Sequence, residues 1–315
     1  MTGSGLILVD KPGGMTSHDV VARVRRAAGT RKVGHAGTLD PMATGLLIVG
    51  VNSSTRLLTY IVGADKEYLA TIRLGAASTT DDAEGELLTP ASQEALDAVA
   101  DEAIASGIET LTGEIEQVPS SVSAIKVDGK RAYARVRAGE QVELKPRAVT
   151  VSEFELLGTQ RLDGAIDLDV RVVCSSGTYI RSLARDLGSA LGVGGHLSAL
   201  RRTRVGAFHV RDAHDLATLD AQAALIPAVD AAGQLFERLD LTDEQAIDLM
   251  HGRRIHIADR EGAGGVPVAA VAPTGALVGL IEFRGKEART LVNFPTDEAA
   301  GPATGSATGS ASGPA

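Results

Sequence analysis

The sequence is poor in cysteine and in aromatic residues, and both shortages limit what it can build. Its 315 residues include one cysteine, Cys174, which excludes an intrachain disulfide framework and a thiolate metal cluster. Tryptophan is absent and aromatic residues make up 3%, so the core must consist of Val, Leu, Ile and Ala. The 44% hydrophobic and 23% charged residues are ordinary for a soluble globular protein and indicate no function.

Long apolar segments and metal-binding motifs are also missing. No stretch approaches the roughly 20 apolar residues that span a bilayer, and the N-terminal segment MTGSGLILVDKPGG lacks the apolar run of a signal peptide. The seven histidines show neither HExxH nor paired-cysteine spacing. We therefore expect a cytoplasmic protein with no membrane partner, no metal and no cofactor.

The charge is unevenly distributed. A net charge of -9 argues against a polyanionic partner, because phosphates are neutralised by Lys and Arg. However, residues 1–60 contain seven Lys or Arg against three Asp or Glu, and residues 171–211 contain seven against one. A basic face on an acidic protein indicates a nucleic-acid footprint. Scattered solvated charge explains the counts equally well.

Hydrophobic periodicity predicts strands and helices in alternation. Apolar positions at helical spacing predict a helix over residues 17–28, with Ser17 as its N-cap and Gly29 as its end. Strands are predicted for three segments, GLILVDKP, GLLIVGV and KEYLATIRLGA, and again for residues 167–174. The intervening segment RKVGHAGTLDPMATG reads as a glycine-rich loop.

A Ser/Gly turn and a helix follow the strand that ends at Cys174. Arg181 and Arg185 lie four residues apart on a face of this helix that is separate from its apolar face. Unpaired N–H groups at such a helix start can collect anionic groups. A structural ion pair with Asp186 or another carboxylate is the alternative for either arginine.

The last third of the chain predicts a separate module. The apolar segments VPVAAVA and ALVGLIEF indicate small β-strands, in a unit that begins near Leu239. We place domain boundaries at 1–238 and 239–295. The Gly/Ala/Ser/Pro-rich tail, 296–315, is expected to be disordered.

Asp40 is the most conspicuous polar residue of the N-terminal third. It is the only carboxylate between Asp19 and Asp65, and it follows a basic pair in a glycine-rich loop between ordered elements. Such loops often present catalytic groups. Taken alone, a turn role explains Asp40 better, since Asp before Pro commonly opens turns.

The joint pattern carries more information than any single residue. Five segments, in this order and spacing, closely resemble the bacterial tRNA pseudouridine synthase B (TruB) family: DKPGGMTSHDVV, GHAGTLDPMATGLLIVGV, TRLLTYIVGADKEY, QVPSSVSAIKVDGKRAY and CSSGTYIRSLARDLG. The resemblance covers about residues 5–210. One departure is Val122, where the family often has an aromatic residue. The C-terminal third looks like the PUA-like domain that often follows this catalytic domain.

The resemblance implies a fold and a reaction. The fold is α/β (α+β), a mixed and largely antiparallel sheet flanked by helices, followed by the small β-rich PUA-like domain. The reaction is that of a tRNA pseudouridine(55) synthase, an isomerase that flips out uridine 55 of the T-loop, detaches uracil from C1′ and rejoins it through C5. The implied partner is the tRNA T stem-loop, with no obligate protein partner, and we expect a monomer.

The resemblance also implies roles for individual residues. Asp40 matches the catalytic aspartate, expected to attack the sugar or the base ring or to assist glycal formation. Arg181 matches its ion-pair partner, and Tyr68 the residue that stacks on the base and helps to remove the C5 proton. Further matches are the flipping residue His35, the pocket residues Tyr179 and Leu200, and the nearby basic residue Lys11. Arg201, Arg202, Arg204 and lysines near Lys126 are expected to contact phosphates.

Two rival hypotheses remain. The first is a non-catalytic RNA chaperone that binds and refolds tRNA. The second is a pseudouridine synthase that acts on another RNA, such as a guide-dependent relative.

Overall fold

The structure is a computed structural model that describes residues 3–120, 144–258 and 260–294, together with the backbone of Lys126–Val127 and Lys130–Arg131. The chain divides into two compact units, Leu6–Leu225 and a second unit from Ile226 that includes Gly3–Gly5. The sequence analysis places the domain boundary later, at 238/239. The predictions for Val122, for the Lys126 side chain and for the tail concern parts of the chain outside the described residues.

The first unit consists of a sheet with helices on it. Its strands are β1 Gly5–Lys11, β2 Val33–Ala36, β3 Thr44–Val51, β4 Lys66–Leu74, β5 Gly113–Gln117, β6 Lys126–Val127, β7 Lys130–Arg131, β8 Arg147–Leu162, β9 Ala165–Cys174, β10 Gly195–Val205, β11 Phe208–His209 and β12 His214–Asp215. Its helices are α1 Ser17–Ala28, α2 Leu58–Val62, α3 Gln93–Asp97, α4 Asp101–Thr110 and α5 Ile180–Ala190.

The main sheet is mixed and largely antiparallel. Its continuous strand order is β12-β1-β3-β10-β4-β9-β8-β5, with β2 on β3 and β11 on β10. Strand β10 is parallel to β3 but antiparallel to β4, and β4–β9, β8–β9 and β5–β8 are antiparallel. The predicted fold class is therefore confirmed.

Strand alternation places the core on one face of this sheet. In β4, Tyr68, Ala70 and Ile72 are buried, and they share a core cluster with buried residues of β9 and with Leu183 and Leu187 of α5. Since successive side chains point to opposite faces, the intervening residues of β4 face the other side. Helix α5 thus covers the face on which Tyr68 lies.

Two details near residue 40 differ from the sequence analysis. The N-cap of α1 is Thr16, which forms a capping box with Asp19, so the prediction of Ser17 as the cap is wrong. Part of the predicted loop is strand β2, which pairs antiparallel with β3 from Val33↔Val51 to Ala36↔Ile48. The loop that carries Asp40 is therefore short, residues 37–43, and is called the Asp40 loop below.

The second unit is small and β-rich. It contains β13 Ile226–Pro227, β14 Glu237–Asp240, β15 Ile255–His256, β16 Val268–Val271, β17 Leu277–Arg284 and β18 Glu287–Asn293, with helices α6 Ala228–Gly233 and α7 Asp243–Met250. Five strands form a sheet in the order β14-β16-β17-β18-β15. No helix in the described parts of either unit is long and apolar enough to cross a membrane.

Gly45 allows β3 and β10 to approach each other directly after the Asp40 loop. Its φ is +97°, and a Cβ there would lie 2.3 Å from the backbone oxygen of Arg202. L-residues avoid this conformation, and neither backbone can yield without disturbing the strand pairing.

We predict that Gly45→Ala destabilises the protein more than Gly113→Ala. Gly113 has a similar φ of +93°, but a Cβ there would meet nothing within 4 Å. Both variants carry backbone strain, and overpacking adds about 1–3 kcal/mol at Gly45 alone. Urea unfolding of the two variants measures the difference, and equal losses would contradict the close approach.

Candidate active site

A cavity of about 260 Å³ opens beside the Asp40 loop. Its walls come from that loop, from β4 and β10, and from the turn that precedes α5. The lining residues are Gly37, Thr38, Leu39, Asp40, Val62, Lys66, Tyr68, Ser176, Gly177, Thr178, Tyr179, Ile180, Arg181, Leu200 and Arg202. The structure therefore brings together Asp40, Tyr68, Tyr179, Arg181, Leu200 and Arg202 of the predicted site.

The central contact of the cavity is a two-point ion pair. Arg181 Nε lies 3.0 Å from Asp40 Oδ2, and Nη2 donates to Oδ1 at 3.1 Å. The Arg181 side chain is 4% exposed, whereas that of Asp40 is 34% exposed. The arginine thus orients a carboxylate that remains open to the cavity.

Arg181 is itself fixed from behind. Its Nη1 donates to the Thr80 carbonyl at 3.0 Å and to Ser120 Oγ at 3.3 Å, and lies 3.3 Å from Asp82 Oδ2. Asp82 is as buried as Arg181. One guanidinium therefore serves two carboxylates, and Asp40 is not the isolated charge that the sequence suggests.

The protonation of Asp40 reflects opposing influences. Burial raises the pKa of the Asp40 carboxyl, Arg181 lowers it, and the nearby charge of Asp82 raises it again. The net direction is upward from the usual value. The arrangement therefore keeps Asp40 less acidic than an exposed aspartate while the arginine still supports its ionised form.

The backbone on both sides of Asp40 is bound to distant elements. Ser17 Oγ, at the start of α1, donates to the Leu39 carbonyl at 3.1 Å and accepts from the Leu39 N–H at 2.9 Å. Lys11 Nζ donates to the Pro41 carbonyl at 3.1 Å, and the Gly14 N–H donates to the same oxygen at 2.8 Å. These contacts fix the direction in which the Asp40 side chain leaves the loop.

Lys11 supports the loop instead of lining the cavity. Its side chain is fully buried, which lowers the pKa of its ammonium group to about 8, while Asp40 opposes this shift. Its Nζ also donates to the Pro12 carbonyl at 2.9 Å. Lys11 does not line the cavity, and its ammonium group contacts the Asp40 loop through the Pro41 carbonyl.

The Arg202 guanidinium also donates hydrogen bonds to backbone carbonyls. Arg202 is 1% exposed, and its guanidinium donates to the carbonyls of Leu46 at 2.8 Å and Gly37 at 3.0 Å. It lines the cavity and anchors the first residue of the Asp40 loop. This burial does not suit the phosphate contact that the sequence analysis expects of it.

Tyr68 and Tyr179 reach the cavity from different elements. Burial raises the pKa of the Tyr68 phenol, with a smaller opposing effect of Arg202, so the ring is neutral at pH 7. Tyr179 is the N-cap of α5, and Gln117 holds its backbone by donating to its carbonyl at 3.1 Å and accepting from its N–H at 2.8 Å. Both rings are thus available as apolar surfaces for a planar ligand.

His35 lies on β2, outside the cavity wall. Burial lowers the pKa of the His35 imidazole, and His18 and Arg202 lower it further. The rings of His18 and His35 meet edge to face with centroids 5.6 Å apart. A neutral imidazole is therefore expected at neutral pH.

Sequence reasoning missed the residues that support the site. Asp82 stands in an acidic segment where nothing distinguishes it from Asp81. Ser17, Lys66 and Gln117 all lie in segments that carry the family resemblance, but the resemblance assigns them no role. Lys66 nevertheless lines the cavity. Within residues 3–120, 144–258 and 260–294, no group of three or more His, Cys, Asp or Glu side chains could hold a metal ion.

Comparison with known proteins identifies the family. Residues 25–180 match the N-terminal domain of the TruB family pseudouridylate synthases, residues 181–240 a C-terminal domain of tRNA pseudouridylate synthase B, and residues 236–295 the C-terminal domain of tRNA pseudouridine synthase II. The tRNA pseudouridine synthase B of Leifsonia xyli subsp. xyli is 75% identical over 95% of this chain and 99% of that protein. The chain belongs to the TruB family. The enzyme of the same name from Thermobifida fusca is 54% identical over 92% of this chain and 98% of that protein.

Two solved structures that are similar to this TruB-family chain are those of complexes. A chain in an H/ACA RNP bound to a substrate RNA containing 2′-deoxyuridine superposes with a TM-score of 0.68 at 26% identity, covering 93% of this chain and 86% of that one. A chain in a Cbf5-Nop10-Gar1 complex gives 0.67 at 27% identity, covering 93% and 84%. The family predicted from the sequence motifs is therefore confirmed.

We predict that Ser17→Ala destabilises the protein, because it leaves the buried N–H and carbonyl of Leu39 without their partner. The expected loss is about 1–3 kcal/mol in urea unfolding. Ser54→Ala is the matched control, since the equally buried Ser54 hydroxyl has no hydrogen-bond partner in the described part of the chain. Ser54→Ala should be neutral or stabilising, and equal effects in both variants would contradict the role of Ser17.

Proposed function

We propose that this protein converts uridine 55 in the T-loop of tRNA to pseudouridine, with Asp40 as the catalytic carboxylate. The observation that carries the proposal is the two-point pair between Arg181 and Asp40 in the wall of the cavity, with the Asp40 carboxylate open to it. A reacting carboxylate must be ionised, oriented and accessible. Arg181 favours the ionised form of Asp40 and orients it, and the Asp40 side chain is 34% exposed.

The reaction is balanced within the substrate. The bond between C1′ and N1 of uridine breaks, the uracil turns, and a bond forms between C1′ and C5. The C5 proton is lost and N1 gains a proton, so no group donor or oxidant is consumed. Asp40 acts as nucleophile toward the sugar or the base ring, or assists glycal formation, and Arg181 stabilises its negative charge.

The size of the cavity supports a flipped-out nucleotide. Its volume of about 260 Å³ lies just below the roughly 300–1,000 Å³ of pockets for drug-sized ligands, so it suits a base with its sugar and excludes a duplex stem. A uridine stacked inside the T-loop hides its glycosidic bond, and extruding it costs a few kcal/mol. Stacking of the base on Tyr68, with Tyr179 and Leu200 also lining the cavity, offsets that cost. His35, the expected flipping residue, lies on β2 outside the cavity wall and assists only if the RNA reaches it there.

The neutral state of Tyr68 restricts its chemistry. Because burial raises the pKa of its phenol, Tyr68 stays protonated at neutral pH and cannot accept the C5 proton in that form. Stacking is therefore its main role, and participation in the removal of the C5 proton requires that its own proton is displaced first.

Free tRNA is the proposed substrate because the relatives that cover nearly the whole chain are named tRNA pseudouridine synthase B. The structural neighbour from an H/ACA RNP bound to a substrate RNA supports the alternative of an RNA other than tRNA. A test with protein alone separates them: modification of a tRNA transcript without any partner supports the proposal, and modification of rRNA fragments but not tRNA opposes it.

We predict that Asp40→Asn lowers the rate of pseudouridine formation on a tRNA transcript by at least about 10³-fold, because the nucleophilic or charge-bearing group is lost. Binding of the transcript should survive. Asp186→Asn is the control, since Asp186 pairs with Arg185 at 2.8 Å and does not line the cavity. Pseudouridine formation by Asp40→Asn would refute the catalytic role of Asp40. If the wild-type protein refolds tRNA but forms no pseudouridine, the result would support the alternative hypothesis of a non-catalytic RNA chaperone.

The pH dependence of kcat/KM provides an independent test. Since the pKa of Asp40 is raised and its ionised form is required, activity should fall tenfold per pH unit below that raised pKa. Asp82 contributes to the shift through its negative charge, so Asp82→Asn should move this acidic limb to lower pH. Asp186→Asn should leave the limb in place, and an unmoved or upward-moved limb in folded Asp82→Asn would contradict the assignment.

A further inference from the structure

Four exposed cations stand in the C-terminal half of α1 and in the short link between α1 and β2. They are Arg23, Arg26, Arg31 and Lys32, and are called the basic patch. Among the described residues, none of the four forms a salt bridge within 4.0 Å. The carboxylate of Asp19, one turn before Arg23, is occupied by the capping box of α1, where it accepts from the Thr16 N–H at 2.9 Å and from its hydroxyl at 2.6 Å.

The three arginines that the sequence analysis expects to contact phosphates, Arg201, Arg202 and Arg204, bind other groups of the protein instead. Arg201 forms a two-point pair with Asp10 at 3.0 and 2.6 Å. Arg202 is buried on backbone carbonyls, and Arg204 donates to the Gly206 carbonyl at 3.1 Å. These side chains already have protein partners, so binding phosphate would require exchange of an existing contact.

The basic patch lies on α1 and just before β2, and both elements contact or lead into the Asp40 loop. Arg25 Nη2 donates to the Val33 carbonyl at 3.0 Å, which joins the end of α1 to β2. At its other end α1 holds Leu39 through Ser17. Arg26 is nine positions after Ser17 in this helix, about 14 Å along the axis. The patch is therefore displaced from the Asp40 loop by most of the length of α1, which suits contact with RNA that flanks the target nucleotide.

We propose that the basic patch binds phosphates of the RNA stem next to the target loop. The inference rests on the proposed function, since it requires an RNA substrate. A protein with a net charge of -9 needs a local positive surface to approach RNA. Lysine and arginine without ion pairs displace counterions from phosphates and fix the register of the stem without reading its bases.

The test compares two double variants with the same change in net charge. Arg26→Gln with Lys32→Gln removes part of the patch. Arg161→Gln with Arg211→Gln removes two exposed arginines of the same unit, which pair with Asp101 at 2.7 Å and Asp212 at 3.8 Å. The Kd of a full-length tRNA transcript is measured by filter binding against KCl concentration, together with kcat and KM.

In the patch variant we expect the slope of log Kd against log[KCl] to fall by about 1.4–2, because each lost phosphate contact removes about 0.7–1. The Kd and KM should rise about tenfold with kcat within twofold, and the control should follow the wild type. Equal slopes in both variants, or a loss of kcat without a change in Kd, would overturn the inference. If the wild type forms pseudouridine in tRNA but both double variants bind tRNA equally well, only the role of the basic patch is refuted. If the wild type forms no pseudouridine in tRNA, the proposed function itself is refuted.

Discussion

The contact between Arg181 and Asp40 is the interaction on which the rest of the site depends. A partly exposed carboxylate on a short loop can point in many directions, and a buried guanidinium that meets both of its oxygens selects one of them. The arginine can do this because Thr80, Ser120 and Asp82 bind its far side. A buried cation with two carboxylates also avoids the cost of an unpaired internal charge.

The same contact also affects the pKa of Asp40, on which several groups act in opposite directions. Burial and the negative charge of Asp82 raise the pKa of Asp40, whereas Arg181 lowers it. The loop backbone is fixed separately, by Ser17 at Leu39, Lys11 at Pro41 and Arg202 at Gly37. Arg181 therefore acts on both the direction and the acidity of the carboxylate, while the backbone contacts add to its orientation.

Much of the fold follows from local patterns. The alternation in β4 and the helical spacing in α1 predict these elements because each buries one face against the same core. Strand β2 escaped prediction since VGHA is short and glycine-containing, and only pairing with β3 makes it a strand. The N-cap of α1 was misplaced by one residue for a related reason. Thr16 and Ser17 are both good caps, and the bond from Ser17 to Leu39, 22 residues away, selects between them.

By itself, the sequence determined the family, the fold class and several of the residues that line the cavity, because their motifs are local and specific in combination. Only the tertiary structure decided which charges meet. Asp82 is indistinguishable from Asp81 along the chain, yet it alone shares Arg181 with Asp40. Arg202 reads as a surface cation beside Arg201 but is buried behind the Asp40 loop. Burial and electrostatic partners depend on residues brought together from more than 100 positions apart, and no local pattern encodes them.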